Sequence, residues 1–491
     1  MRRFLKGVVG VPADLARATA SGWDRFAFAP SDPTPLGLIR VVVGALLFWS
    51  LLIYGLDLFG YLGRLGWANL EVVQQFRREE AMHRGAAPTA WSFWFYVPDA
   101  LLRPAWGLCL GVLALFTLGL FSRVTAVLAW GIAASTAVRA PISIHGFDDI
   151  VSTWALYLAV SGASGQAVSL DRYLARFRRN RLEVAARRPD GRWTAPSGVP
   201  AATTSANIGL RLIQCHLVVI YAMSGLSKLR NDGWWAGTAT WGTLASGEFR
   251  SFDLTWLAGY PTLINLMTHG ALLLEVAYPV LIWSRPLRPT LIAAAVALHA
   301  GIGLTLGLVE FGLAMVAGNL AFASGPWLRS LVAGRDQPAG RILYDGACPK
   351  CRASMALITA GDPDRVVEPV DLTAVDVASI HPSLTREACL ESMHLVRADG
   401  RVLRGYDAVM TLLAWTPLFW PFALVRFVPG AGPVGRRVYA RIAASRPRDA
   451  PCTDEVCGIR TPTAVATRPA TSTPAPAQPP RPAAPGKSRR R

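Results

Sequence analysis

The chain has 491 residues, 52% of them hydrophobic, with a mean hydropathy of +0.32. That length and apolar content argue against a single soluble domain. The formal charge is +18 with only 17% charged residues, and seven cysteines over this length do not make a disulfide scaffold.

The N-terminal stretch, residues 1–30, begins "MRRFLKGVVGVPADLARA". It is basic but too broken for a secretory signal core, and reads as an uncleaved cytoplasmic segment. A bilayer core needs about 20 apolar residues per helix. Eight stretches qualify as candidate spans: 36–57, 102–121, 124–140, 149–166, 207–228, 262–284, 289–307 and 309–326. The aromatic run "TAWSFWFYVP" at 89–98 is too short to span and reads as an interfacial segment. Lys and Arg cluster in the N-terminal segment, in the connection "DRYLARFRRNRLEVAARRPDGRW" and in "SRPLRP". Alternating helices put these three on one side, which the positive-inside rule makes cytoplasmic. Beside apolar spans the basic runs therefore face anionic lipid, and no nucleic-acid partner is expected.

After the last span the chain returns to the cytoplasm, and charged residues reappear over 340–450. "RILY" reads as a buried strand, Asp345-Gly346-Ala347 as a turn, and Cys348-Pro349-Lys350-Cys351 as the opening of a helix to about Thr359. Pro suits a first helical turn, and positions i and i+3 share a helix face within reach of disulfide geometry. The helix N-terminus and Lys350 favour an anionic sulfur at Cys348. "RVVEPVDL" reads as a second strand, "SMHLVRADGRVL" as two strands around Asp399-Gly400, and "GYDAVMTLLAW" as a helix. The order β-α-β-α-β-β-α is a thioredoxin-like arrangement. The last stretch, 459–491, is Pro/Ala/Thr-rich with a basic end and is expected to be disordered.

"YDGACPKC", with "ADGRVLRGYDAV" downstream, resembles the DCC family of thiol-disulfide oxidoreductases, whose motif is D-x-x-C-x-x-C. Asp345, Cys348 and Cys351 match that motif. The resemblance covers roughly 340–445. It implies a redox dithiol, with Cys348 attacking and Cys351 resolving, and a protein or small-molecule thiol as partner. Thioredoxin-like sites place a cis-proline before the third strand, and "EACLESMHL" has none. Two other readings of the pair stay open. It is half of a zinc site if Cys452 and Cys457 of "PCTDEVC" join it, or it is a pair of inert structural thiols. Cys109, Cys215 and Cys389 read as small packing residues.

Ionisable residues inside spans are costly and default to functional hypotheses. Four stand out: His216, Lys228, Glu275 and His299. By helical rise, Glu275, His299 and His216 each lie about 15 Å from the cytoplasmic end, so the three are expected at one level. A buried carboxylate there wants a cationic partner or must stay protonated. Lys228 ends its helix toward the far side. "IYAMSGLSKLRNDGWWAG" resembles the segment bearing the base of vitamin K-dependent γ-carboxylase and its bacterial HTTM relatives. "HGALLLEVAYP" resembles the acidic helix of the same family, and His299 a histidine there. The resemblance covers roughly 30–330 and implies Lys228 as a base acting on a quinone-type lipid. Without a large extracytoplasmic domain after the helices, glutamate carboxylation does not follow. The plain alternatives are a snorkelling Lys228, packing histidines and a Glu275 that clamps helices. His145, Asp148 and Asp149 open the fourth span on the far side and suit either that cavity or a solvated helix start.

The expected protein has two parts. An HTTM-like membrane domain of about eight spans fills 31–330, and a small α/β thioredoxin-like domain fills 340–450. The chain is expected to be a multi-pass protein of a bacterial cytoplasmic membrane, with its soluble domain in the cytoplasm. The expected activity is thiol-disulfide exchange at Cys348/Cys351. The alternatives are a quinone-dependent enzyme at Lys228 and a zinc-stabilised anchor. No resident cofactor is expected beyond a quinone-type lipid.

Overall fold

The computed structural model describes residues 2–67, 69–83, 91–185, 199–248, 251–332, 338–362, 366–416 and 419–445. The tail 459–491 and the pair Cys452/Cys457 lie outside these residues. The chain divides into two units. One comprises Met1–Gly340 with Ala356–Glu368 and Met410–Val428, and the other Arg341–Met355, Pro369–Val409 and Pro429–Arg491.

The first unit is helical. Its N-terminal segment, read from sequence only as basic and irregular, forms one helix, Arg2–Phe28. Each of the eight apolar stretches contains a helix: Thr34–Tyr54, Asp99–Leu118, Ser122–Arg139, Gly146–Ser161, Thr204–Leu229, Pro261–Leu281, Arg288–Leu306 and Val309–Asn319. Five segments are long and apolar enough to cross a membrane, the first running over Thr34–Leu62. Ser122–Arg139, Gly146–Ser161 and Val309–Asn319 are not among those five, so of the eight apolar stretches five hold a helix of spanning length and hydropathy among the described residues. Leu36, Val43, Phe116, Trp154, Ile213 and Leu217 fill the centre of the bundle. Outward-facing Leu108, Leu273 and Val280 are about 70% exposed, an apolar exterior that water would penalise. In the run at 89–98, Trp94 is buried and donates its indole N–H to Thr136 Oγ1 at 3.0 Å. That residue packs inside the bundle, while Trp91 and Tyr96 stay exposed.

Arg40 was not singled out from sequence, yet it is fully buried in Thr34–Tyr54. Its guanidinium donates to the carbonyls of Ser164, Thr117 and Val168. It fastens loop backbone that would otherwise lack partners.

The smaller region has the expected element order. Strands β1 (Gly340–Tyr344), β2 (Val367–Asp371), β3 (His394–Arg397) and β4 (Val402–Arg404) form a four-stranded mixed sheet in the order β2-β1-β3-β4. β3 and β4 pair antiparallel, His394 opposite Arg404, around a turn whose Gly400 has φ +81°. The helix Pro349–Gly361 follows β1, and Arg386–Glu391 precedes β3. Gly405–Trp415 follows β4 and coincides with "GYDAVMTLLAW". Leu343, Leu372, Val396 and Cys389 share a core. Burial pushes the Cys389 thiol pKa up, as expected of a packing cysteine. Cys109 is likewise buried, whereas Cys215 lies on an exposed helix face and fills no core. Beyond Trp415 the chain forms short turns over 419–427 and a last helix, Ala431–Ala444, which the sequence pattern did not single out.

Candidate functional site

Two sets of side chains carry chemistry, and each is built differently. The first is the dithiol. β1 ends at Tyr344, and Asp345 turns the chain by accepting the Ala347 N–H on Oδ1 at 3.0 Å. The Cys348 N–H bonds to the Asp345 carbonyl at 3.2 Å, and the Cys348 carbonyl takes the Arg352 N–H at 3.0 Å. Cys348 therefore stands immediately before the helix, whose first residue is Pro349, with Cys351 in the first turn. Proline at this position sacrifices no helical hydrogen bond. Arg352 donates from Nη1 to the Gly346 carbonyl at 2.8 Å, which closes the loop from the helix side.

At Gly346 the loop backbone runs close to the Asp371 carboxylate, where a Cβ would force that side chain aside. Asp371 ends β2 and accepts the Thr373 N–H and hydroxyl at 2.9 and 2.8 Å. A second carboxylate thus lies against the dithiol loop, and the sequence pattern did not single it out. The signal was available: strands joined through one crossover helix end on the same sheet edge. The first carboxylate, Asp345, is 4% exposed, and its bond to Ala347 makes it a turn-maker.

Both sulfurs are free thiols and both are buried, Cys348 fully and Cys351 at 7% exposure. Lys350 donates to the Ser445 carbonyl at 3.0 Å, at the end of the helix Ala431–Ala444. Six residues earlier in that helix, Tyr439 accepts the Met393 N–H at 2.9 Å, just before β3. The last helix therefore ties the dithiol loop to the start of β3. Among the described residues there is no cis peptide, so Met393 lacks the proline geometry usual at that position. Among the described residues, no three His, Cys, Asp or Glu side chains are grouped to hold a metal ion.

The second set lies in the helical unit. Lys228 Nζ meets Glu275 Oε2 at 2.6 Å and donates to Ser224 Oγ at 2.7 Å. The ammonium also stands 5.0 Å from the Trp234 ring centroid. The two helices pass closely at Gly225, where a Cβ would come within 3.2 Å of the Glu275 carbonyl carbon and the Val276 side chain. Backbones approach closely at such small residues. One turn on, Lys228 reaches the carboxylate. His299 Nε2 bonds to the Tyr221 hydroxyl at 2.9 Å. Tyr221 stacks on Tyr278 at 4.0 Å, and Tyr278 donates to Asn319 at 2.7 Å.

His216 does not join this chain of contacts. It accepts the Trp154 indole N–H at 3.2 Å and sits edge-on to Tyr157. Equal depth along helices is not equal direction around them. His145 is the N-cap of Gly146–Ser161: its N–H bonds to Asp148 Oδ2 at 2.9 Å, and the Asp148 N–H to the His145 carbonyl at 3.0 Å. That accounts for His145 and Asp148 as a helix start.

Residues 342–449 match the family described as DCC1-like thiol-disulfide oxidoreductase. An uncharacterized chloroplastic protein of Arabidopsis thaliana is 26% identical over 91 residues, 18% of this chain and 42% of that protein. The match thus spans less than half of that relative's length. No solved structure matches. The helical region carries apolar helices consistent with a membrane region, without a match to the HTTM family. Motif, turn, helix and family description coincide over one stretch of chain: residues 342–449 are a DCC-like thiol-disulfide oxidoreductase domain.

Proposed function

We propose that this protein is a membrane-anchored thiol-disulfide oxidoreductase working through Cys348 and Cys351. The observation that carries it is the C-x-x-C pair at the start of the helix after β1, inside the DCC-like match. The strand order β2-β1-β3-β4 supports a thioredoxin-like framework. The Cys348 thiolate attacks one sulfur of a partner disulfide, forming a mixed disulfide and releasing the partner's other sulfur as thiolate. Cys351, as thiolate, then attacks Cys348 Sγ. The mixed bond breaks, the second partner thiol leaves, and the Cys348–Cys351 disulfide remains. Two electrons pass to the partner, and the two protons lost by the dithiol balance those its thiolates take up. The cycle runs in reverse with a reducing partner. Because the sulfurs are buried, local opening around the dithiol loop precedes attack.

The test is to trap the partner on Cys351→Ser in the full chain and to titrate the wild-type dithiol against thiol buffers of known potential. A mixed disulfide on Cys348 together with a two-electron transition carries the reading. No couple at any poise removes it. The membrane half rests on the five long apolar helices and on loop charge. It also supports a cytoplasmic, reducing location in which a C-x-x-C cycles rather than staples.

One observation favours a second reading. Lys228 and Glu275, the two positions singled out by the resemblance to the γ-carboxylase segment, meet at 2.6 Å. In that reading Lys228 takes a proton from a quinone-type lipid and Glu275 orients it. Quinone turnover unchanged in Lys228→Ala removes the idea.

A further inference from the structure

The stretch "FWPFALVRFV", residues 419–428, is apolar and unburied. Trp420, Phe422, Leu424, Val425, Phe427 and Val428 are 57, 62, 63, 47, 75 and 56% exposed. Their backbone is two short turns, Trp420–Ala423 and Leu424–Phe427, so they are not a frayed strand awaiting a sheet. Six large apolar side chains in nine residues exceed the scattered exposure that surfaces normally carry. The helix Ala431–Ala444 has no buried residue, and it exposes Val434, Val438 and Ile442 at i, i+4 and i+8. That spacing is one apolar helix stripe.

Charge selects what covers this surface. From Ala408 to Arg448 the chain has no Asp or Glu but carries Arg426, Arg436, Arg437, Arg441, Arg446 and Arg448. Arg426 stacks 5.5 Å from the Phe427 ring, an aromatic and cation together. A second copy would set this basic stretch against itself. Anionic headgroups above an acyl boundary take both the arginines and the aromatic and aliphatic side chains.

We propose that residues 419–428, which lie inside the DCC-like match, insert into the headgroup layer of an anionic lipid bilayer. This rests on the apolar helices being membrane spans.

The test uses the full chain in lipid nanodiscs, with a benzophenone photo-crosslinking residue at Phe422 or at Phe427. Leu108, on the exposed face of Asp99–Leu118, serves as span reference, and Asp399, in the β3–β4 turn, as aqueous reference. Lipid adducts at Phe422 and Phe427 several-fold above Asp399, weakened when phosphatidylglycerol is replaced by phosphatidylcholine, carry the inference. Lipid adducts at Leu108 with only Asp399-level yield at both test positions overturn it and leave the membrane reading standing. Cross-links from either test position to a second copy or to another protein overturn it in favour of a protein interface. No lipid adduct even at Leu108 removes the membrane reading and the inference with it.

Discussion

The dithiol loop and the Lys228–Glu275 pair are two polar sites made by opposite means. Most of the bonds that shape the first loop lie between Asp345 and Arg352, with Asp371 leaning in from the neighbouring strand and Ser445 holding Lys350. The second joins two long helices that pass closely at Gly225. The local site is defined mainly by a turn and a helix start. The assembled site depends on helix packing, so its energetics follow the bundle. The first site holds two buried thiols, the second a largely buried ion pair.

The largest effect should come from the thiols. Cys348→Ser is expected to abolish exchange with any disulfide partner, a loss of at least about 1000-fold in rate, since a serine hydroxyl is not a competent nucleophile here. Stopped-flow measurement against a small disulfide reads it. If Lys228→Ala lowers that rate equally, the two sites are not independent and the contrast breaks.

Next comes the ion pair, whose side chains are only 21 and 10% exposed. Lys228→Met or Glu275→Gln alone should cost about 3 kcal/mol, because each leaves a charge without its partner. The double variant should recover part of that loss. Thermal unfolding in detergent measures the cycle, and strictly additive losses would mean that the pair is not coupled.

Asp345→Ala removes the acceptor for the Ala347 N–H and should cost about 1–2 kcal/mol, with Asp345→Asn costing less. If Asp345→Asn instead matches Cys348→Ser in rate loss, the carboxylate takes part in proton movement and is more than a turn-maker. Tyr439→Phe takes the acceptor from the Met393 N–H and should cost about 1 kcal/mol. Because the same helix holds Lys350, that variant should also speed alkylation of the buried thiols.

The smallest effect is in pH. Burial of His394 holds its pKa below the ordinary 6.5, despite its bond to the Ser392 carbonyl. The unfolded chain therefore binds the proton more readily. Its contribution to stability is present above about pH 6.5 and is lost as pH falls through the lower folded value. His394→Gln should flatten the acid limb of the unfolding profile for the dithiol domain. An unchanged limb would place the acid sensitivity elsewhere.

Much of the small domain was legible because its signals are local. Alternation, the Asp-Gly turn and a proline at a helix start mark β1 to Gly405–Trp415 almost residue by residue. The last helix was not, since "AGPVGRRVYARIAA" opens with glycines and a proline, and its contacts are made by single side chains such as Tyr439 and Arg436. In the bundle, apolar runs located eight helices, but rotation about each axis leaves no mark in such runs. That is why His216 was grouped with Glu275 and His299, and why Arg40 passed unnoticed in an apolar stretch.

By itself, the sequence determined the order of elements in the small domain and the cysteine pair at its first helix start, because each depends on residue type at short spacing. Only the tertiary structure decided which charges meet, that Asp371 lies against the dithiol loop and that both sulfurs are buried. Those facts depend on the direction in which each helix face turns and on how closely backbones approach. No short-range pattern encodes that; it emerges when all the faces pack at once.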